Sequence, residues 1–340
     1  MKNSSILFIL VTLFITSCSN FNTKKEIKIK GLAQGTYYAV TYYDEEGINY
    51  QPAIDSFFKA FDLSVSLYLK ASVISRLNNN DSTVIADDAF TAVFNKSMEV
   101  SEKTDGAFDI TVMPLINAWG FGFTDPMKVD SATVDSILPL VNFRNVKLIN
   151  GKLKKTNQAI RVDLNAIAQG YSSDLIGKML ESKGIEDYLV DVGGEVLARG
   201  TKSGKIKWKV GIEKPTENAD DQRQLNATLD LQDKALATSG NYRRFFIKDG
   251  VKYAHIIDPK TGFPVNHTTL SVSVMADDCM TADAYATAFM VMGLEKIRIF
   301  LEQHPELDAY VIYSDGTGKL STWSSKGIKD LIETIPFENN

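Results

Sequence analysis

The sequence predicts an α+β fold with mixed sheets, flanking helices and frequent hairpins. Three observations carry this. Strand-like and helix-like segments interleave along the chain. Turn signals repeatedly join neighbouring strand segments. No GxGxxG or P-loop element of the kind that marks a doubly wound parallel sheet is present.

The elements read as follows. Ile27 to Tyr43 is rich in Thr, Tyr and Val in alternation and reads as strands. Ala53 to Asp62 and Ala89 to Lys103 carry apolar residues at helical spacing, among them Phe90, Val93, Phe94 and Met98. Ser172 to Lys183 repeats the pattern with Leu175, Ile176, Met179 and Leu180, and Gly184 follows as a C-cap. Tyr188 to Ala198, Lys207 to Ile212, Asn226 to Leu231 and Leu270 to Met275 read as strands. Arg244 to Tyr253 reads as a hairpin turning at Asp249-Gly250, and Asp308 to Thr322 as another turning at Asp315-Gly316. Thr281 to Met292 is a helix that stops at Gly293. The stretches Asp125 to Thr133 and Pro215 to Gln224 read as surface excursions that separate no domains.

Composition bounds the function. The chain of 340 residues is long enough for a sizeable core. Its 44% hydrophobic and 23% charged residues are those of an ordinary globular protein. A net charge of −5 argues against a nucleic-acid binder, which needs a basic face.

The N-terminus reads as a targeting segment. A short positive start (Met1, Lys2, Asn3) precedes the largely apolar run Ile6 to Ile15. That run is too short to span a bilayer, which takes about 20 apolar residues, and has the length of a signal-peptide core. It ends in Ile15-Thr16-Ser17-Cys18, which resembles a bacterial lipobox; an ordinary signal peptide that contains a cysteine is the alternative. The expected organisation is a signal peptide over 1–17, a lipidated (palmitate-bearing) Cys18 and polar tether over 18–26, and one domain over 27–335. Acyl chains contribute roughly 0.8 kcal/mol per buried CH₂, so Cys18 would hold the protein on a membrane. The other cysteine, Cys279, is then alone and no disulfide can form within the chain. Cys279 reads as a buried apolar filler in preference to a nucleophile.

Few residues carry a chemical signal on their own. His255 stands three residues before the turn Asp258-Pro259-Lys260-Thr261-Gly262, and at a strand end it can face a cleft as a general base or serve as a structural or surface histidine. Asp283 and Thr287 are one helical turn apart and share a face. Their oxygens suit a hard cation such as Mg²⁺, whereas an Asp in a first helical turn is also favoured by the dipole alone. Val192-Gly193-Gly194-Glu195 and Thr238-Ser239-Gly240 read as glycine turns after strands, able to bring N–H groups to a phosphate or to serve as plain turns. No serine-hydrolase elbow, HExxH or CxxC pattern supports acyl-enzyme or zinc chemistry.

In order, however, these segments resemble one family closely: the FAD:protein FMN transferases of the ApbE family, flavin transferase lipoproteins. The resemblance runs from about Gly31 to Gly293. It is carried by Gln34-Gly35-Thr36-Tyr37, Ser66-Leu67-Tyr68 with Ile74-Ser75-Arg76-Leu77-Asn78, and Asp105-Gly106-Ala107-Phe108-Asp109 with Pro114-Leu115 and Trp119-Gly120-Phe121-Gly122. Asp163 to Tyr171, Val192 to Glu195, Gly211 to Pro215, Ala237 to Gly240, His255 to Pro259 and Cys279 to Thr287 complete the set.

The resemblance implies a T-fold-related, ApbE-like architecture with a cofactor cleft between sub-domains. It implies Mg²⁺ bound by Asp283 and Thr287, with backbone contributions from Ala166 and Ala286, and His255 as the base. It implies FAD contacts at Gln34, Tyr68, Ala107, Phe108, Asp109, Asp163, Gln169 and Ile257, with Tyr68 stacking on a cofactor ring. The activity it implies is transfer of FMN from FAD to a Thr or Ser hydroxyl of an acceptor protein, with AMP released. The implied acceptors are flavin-carrying subunits of membrane redox complexes of the sodium-pumping type, recognisable by a Ser/Thr-Gly-Ala-Thr-like segment. The implied location is the bacterial cell envelope, lipid-anchored on the periplasmic side of a membrane. The chain departs from the common pattern at Gln34 (where Met is frequent), Gln169 (Lys or Glu) and Val73 (an acidic residue). Without a lysine at 169, Mg²⁺ would carry more of the phosphate neutralisation. The alternatives are an FAD pyrophosphatase giving FMN and AMP, and a non-catalytic flavin-binding lipoprotein.

Overall fold

The computed structural model describes residues 24–123, 129–203, 205–216, 224–241, 245–248 and 251–335. The segment read as signal peptide and lipidated Cys18 lies outside the described residues, as do the turn at 249–250, residues 125–128 of one predicted excursion and 217–223 of the other.

In chain order the elements are β1 (Lys25–Ala33), β2 (Thr36–Asp44), α1 (Gln51–Val65), α2 (Val73–Asn78), α3 (Asp88–Lys103), α4 (Met113–Ala118), α5 (Ser131–Ile137), β3 (Val146–Ile149), β4 (Lys152–Lys155), α6 (Ala168–Glu181), β5 (Tyr188–Val192), β6 (Glu195–Arg199), β7 (Trp208–Glu213), β8 (Leu225–Leu231), β9 (Ala235–Gly240), β10 (Phe245–Lys248), β11 (Val251–Ala254), β12 (Thr269–Ala276), α7 (Cys279–Met292), α8 (Leu294–Gln303), β13 (Asp308–Ser314), β14 (Leu320–Ser324), α9 (Lys326–Lys329) and β15 (Ile332–Thr334). No helix among the described residues is long and apolar enough to cross a membrane.

Eight strands form one antiparallel sheet in the order β1-β2-β5-β6-β9-β12-β13-β14, and β15-β8-β7 form a second. The mixed α+β architecture is the predicted one. Period-2 alternation divides the large sheet's side chains between two cores. Leu197, Ala235, Ala237, Val272, Val274 and Val311 face a core shared with α1, α3, α6 and α7. Their neighbours Val196, Leu236, Met275, Tyr310 and Ile312 face the small sheet through Trp208, Ile212 and Leu229. The result is three layers: helices, large sheet, small sheet. A separate cluster of Leu115, Trp119, Val134, Val141 and Ile257 forms beside them around α4 and α5.

α7 is the central helix. Cys279, Ala282, Ala284, Ala286, Ala288, Phe289 and Met290 are all buried, and a helix apolar on nearly every side belongs in a core. Asp278 caps it, accepting from the Thr281 N–H at 2.8 Å. Asp174 on α6 adds two bonds, accepting from the N–H groups of Cys279 (2.8 Å) and Met280 (2.9 Å).

Several expectations are corrected. The glycine turn read at Val192 to Glu195 is present and divides Tyr188 to Ala198 into the β5–β6 hairpin, because Gly193 (φ 69) and Gly194 (φ 109) take conformations that only glycine adopts freely. Thr238-Ser239-Gly240 is not a turn; it is the end of β9, paired with Ser273, Val272 and Ser271 of β12. The strand region begins at Lys25, so the polar stretch read as a tether through residue 26 gives its last two residues to β1. Ser131, inside a predicted excursion, opens α5, with Asp130 capping the N–H of Thr133. Asp283 is the fifth residue of α7 and therefore stands in its second turn, beyond the reach of the dipole argument. The β3–β4 hairpin at Asn150-Gly151 was readable from its Asn-Gly turn, both residues having positive φ.

Candidate functional site

A cavity of about 330 Å³ opens where the C-terminal end of β9, the start of α6 and the middle of α7 meet the α4–α5 cluster. Of the residues named from sequence, Tyr68, Ala107, Phe108, Asp109, Asp163, Ala166, Gln169, His255, Ile257, Asp283 and Thr287 all line it. Segments up to 219 residues apart in the chain (Tyr68 and Thr287) thus share one wall. Three named residues do not. Cys18 lies outside the described residues. Ala286 is buried in the core and is not on the wall. Gln34 sits in an adjoining cleft that shares Tyr68, Asn165 and Gln169 with the cavity. There Gln34 Oε1 accepts from Ser172 Oγ at 3.1 Å, in a backbone conformation (φ 52) unusual for a non-glycine residue.

The cavity has an apolar side and an acidic side. Ile110, Val112, Ile116, Phe121 and Ile257 make the first. Tyr68, 75% exposed, stands at its mouth with its ring edge-on to Phe123, centroids 4.9 Å apart. An exposed aromatic over an apolar slot suits a flat ring system. The His255 ring lies edge-on to Phe121 at 6.3 Å.

The acidic side is built by helix packing. Gly170 on α6 meets α7 so closely that a Cβ there would lie 2.4 Å from the carbonyl oxygen of Cys279. That approach lets the Gly170 N–H donate to Asp283 Oδ2 at 3.0 Å and fixes the carboxylate. Burial, opposed by that bond, pushes the Asp283 carboxyl up to about 7. Glu195, the first residue of β6, also lines the cavity. Burial, and next the charge of Asp283, push it well above the carboxylate range. Glu195 Oε2 is buried with no hydrogen-bond partner among the described residues.

Two of the other carboxylates do structural work at the wall. Asp109 Oδ1 accepts from Thr111 N (2.7 Å) and Oγ1 (2.6 Å), and its Oδ2 from Phe143 N (2.8 Å). Burial raises it and these bonds lower it. Asp163 is pushed up to about 6 by burial, against one bond from Asn165 N at 2.8 Å. Cys279 is fully buried, with its thiol raised by burial, as a core filler would be.

Sequence reasoning missed Glu195 as a site carboxylate, although its Gly-Gly-Glu turn was noted for its glycines. Thr238 and Ser239, singled out as a turn able to approach a phosphate, do line the cavity, but as a strand end.

Among the described residues no cluster of three or more His, Cys, Asp or Glu is arranged to hold a metal. Oxygen-bearing side chains nevertheless line the cavity, among them Asp109, Asp163, Glu195, Thr238, Ser239, Asp283 and Thr287.

Comparison with known proteins gives the family. The profile of the ApbE family matches residues 34–311. The chain is 36% identical to an FAD:protein FMN transferase of Vibrio cholerae over 283 residues, covering 80% of this chain and 83% of that protein. It is 34% identical to the FAD:protein FMN transferase of Escherichia coli K12 over 281 residues, covering 80% and 79%. Among solved structures, the flavin transferase ApbE from Vibrio cholerae superimposes with a TM-score of 0.81 at 31% identity, over 91% of this chain and 99% of that one.

Proposed function

The chain belongs to the ApbE family, and from that premise we propose that it is an FAD:protein FMN transferase that moves FMN from FAD onto a Thr or Ser hydroxyl of an acceptor protein. The observation that carries this reading is the cavity itself. It sets an apolar slot with an exposed Tyr68, a histidine and a buried acidic pair around one space, and the relatives that share its sequence are named for that activity.

FAD is the substrate. Its isoalloxazine fits the apolar side, against Tyr68 and near Ile257, with Ala107, Phe108, Asp109, Asp163 and Gln169 along the wall. The acidic side fits a magnesium ion. Two buried carboxylates, one with an orphaned oxygen, are costly without a cation. Magnesium favours oxygen donors and takes one or two carboxylates together with substrate phosphates. Asp283 and Thr287 would hold it, and Ala166, the implied backbone donor, lines the same wall; Ala286, off the wall, is the weakest member of that set. When bound, the ion neutralises diphosphate charge and eases departure of AMP.

The chain's own residues do the rest. The cavity holds the diphosphate where the FMN-side phosphorus faces His255. The acceptor hydroxyl approaches, His255 takes its proton, and the oxygen forms a bond to that phosphorus. The bond from the phosphorus to the bridging oxygen breaks, and AMP leaves with the electron pair. The product is a phosphoester-linked FMN.

The location proposed for this chemistry is the periplasmic side of a bacterial membrane, with Cys18 as the lipid anchor. Flavin-carrying subunits of membrane redox complexes are the proposed acceptors. The test is incubation with FAD, Mg²⁺ and a purified domain carrying a Ser-Gly-Ala-Thr segment, read as flavin fluorescence in a denaturing gel. A labelled band that disappears in Asp283→Ala is expected. Release of FMN and AMP with no labelled protein would point instead to the pyrophosphatase, and tight FAD binding without turnover to a flavin store.

A further inference from the structure

A second chamber of about 420 Å³ joins the first, and the two share Thr238, Ser239 and His255. The wall segment Gly211 to Pro215, prominent in sequence, has no part in the first chamber; its Gly211 and Glu213 line the second. The β5–β6 turn at Gly193-Gly194 lines it too.

Four glycines bring main chain to the wall of the second chamber, beside side chains that include Tyr37, Asp191, Lys209 and Glu213. Gly193, Gly194, Gly211 and Gly240 are all on its wall and present no side chain. Two backbones there lack a strand neighbour among the described residues. β7 is the last strand of its sheet, paired with β8 on one side only. β9 pairs with β6 only at Ala235 and Leu236, so Thr238, Ser239 and Gly240 have β12 on one side and no strand on the other. Strand edges of this kind bind extended peptides through main-chain hydrogen bonds. The wall carries the carboxylates of Asp191 and Glu213 against one cation, Lys209, whose amine is already paired with Asp230 and Glu333, a balance that disfavours phosphate.

We infer that the second chamber is the acceptor groove: an extended segment of the acceptor protein lies along the open edges of β7 and β9, and its Thr or Ser hydroxyl reaches His255 at the junction with the FAD cavity. The inference rests on the transferase reading above. It explains why a histidine should sit on the boundary of two spaces. The electrophilic phosphorus comes from one side and the nucleophilic oxygen from the other, and the proton passes to the ring between them. It also assigns part of the recognition to the acceptor's main chain, which the open strand edges can bond, with the glycines leaving room for close approach.

The test fills the groove and leaves the FAD cavity alone. Lys209→Trp and Gly211→Phe place a bulky ring on the outer face of β7, where both positions are exposed. The probe is the purified Ser-Gly-Ala-Thr domain, with wild type and both variants assayed at saturating FAD and Mg²⁺. The expected result is a KM for the domain raised tenfold or more in both variants, while FAD affinity, read by flavin fluorescence, stays within twofold. An unchanged KM in two folded variants, verified by circular dichroism, would overturn the inference and leave the transferase reading intact. FAD affinity falling in parallel with labelling would also overturn it, because the chamber would then belong to the dinucleotide site. Wild-type enzyme that labels no domain would defeat the underlying reading instead.

Discussion

The backbone N–H of Gly170 donates to the carboxylate of Asp283 at 3.0 Å, across the contact between α6 and α7. A residue with no side chain thus positions the acidic side of the site. A Cβ at 170 would lie 2.4 Å from the Cys279 oxygen and 2.8 Å from its carbonyl carbon, both backbone atoms that cannot swing away. Gly170→Ala is therefore expected to push the helices apart and to cost about 1–3 kcal/mol, the usual range for overpacking. Urea midpoints check the stability. Magnesium affinity, followed by calorimetry, is expected to fall with it, and normal stability in this variant would contradict the described contact.

Removing the cation's ligands separates metal from fold. Asp283→Asn keeps the volume, and Thr287→Val keeps the shape. Both are expected to bind magnesium at least tenfold more weakly, with FMN transfer reduced in proportion. Calorimetric titration of the protein with Mg²⁺ alone provides the check. Unaltered affinity in both variants would remove these residues from the metal site.

His255→Ala is expected to slow transfer by about 10²–10⁴-fold, the range for loss of a general base. FAD affinity should remain within a few fold, because the ring stands at the edge of the cavity. Single-turnover labelling of the acceptor domain distinguishes the two. A variant that labels at the wild-type rate would show that the proton goes elsewhere.

Tyr68 is 75% exposed, so its replacement touches little of the core. Tyr68→Ala should change stability by less than about 0.5 kcal/mol. Loss of stacking, about 1–3 kcal/mol for an aromatic on a base-like ring, should weaken FAD by roughly 5- to 150-fold. Tyr68→Phe should restore most of the affinity. Flavin fluorescence titration reads both, and equal affinities for Ala and Phe would exclude stacking.

Stability should fall with rising pH through the weakly acidic range. Burial raises the Asp174 carboxyl to about 7, against the bonds it accepts from Cys279 and Met280 N–H, and Asp163 to about 6. In the unfolded chain both ionise near 4. Between about pH 4 and 7 the folded protein therefore holds more protons than the unfolded chain, and stability declines as pH rises through that window. Asp174→Asn should flatten the slope. It should also destabilise by about 1–3 kcal/mol, because an amide oxygen satisfies the two N–H donors less well than a carboxylate. Melting temperatures of metal-free protein from pH 4 to 8 test this, and an unaltered slope in the variant would assign the effect to other groups.

What the sequence determined by itself is local and periodic. Leu270 to Met275 and Asp308 to Thr322 read as strand segments, and the run from Thr281 to Met292 reads as a helix that stops at Gly293, all of which the structure contains. The four-residue step from Asp283 to Thr287 places both on one helical face wherever that helix lies. Order along the chain was also enough to show the family resemblance. Tertiary structure alone decided what those residues meet. The Gly170 N–H and the Glu195 carboxylate reach Asp283 from elements 113 and 88 positions away in sequence, and no spacing rule spans such loops. The same holds for β9, where Thr238-Ser239-Gly240 reads as a turn by composition. Pairing with β12 overrides that preference, because backbone groups inside a sheet must be hydrogen-bonded.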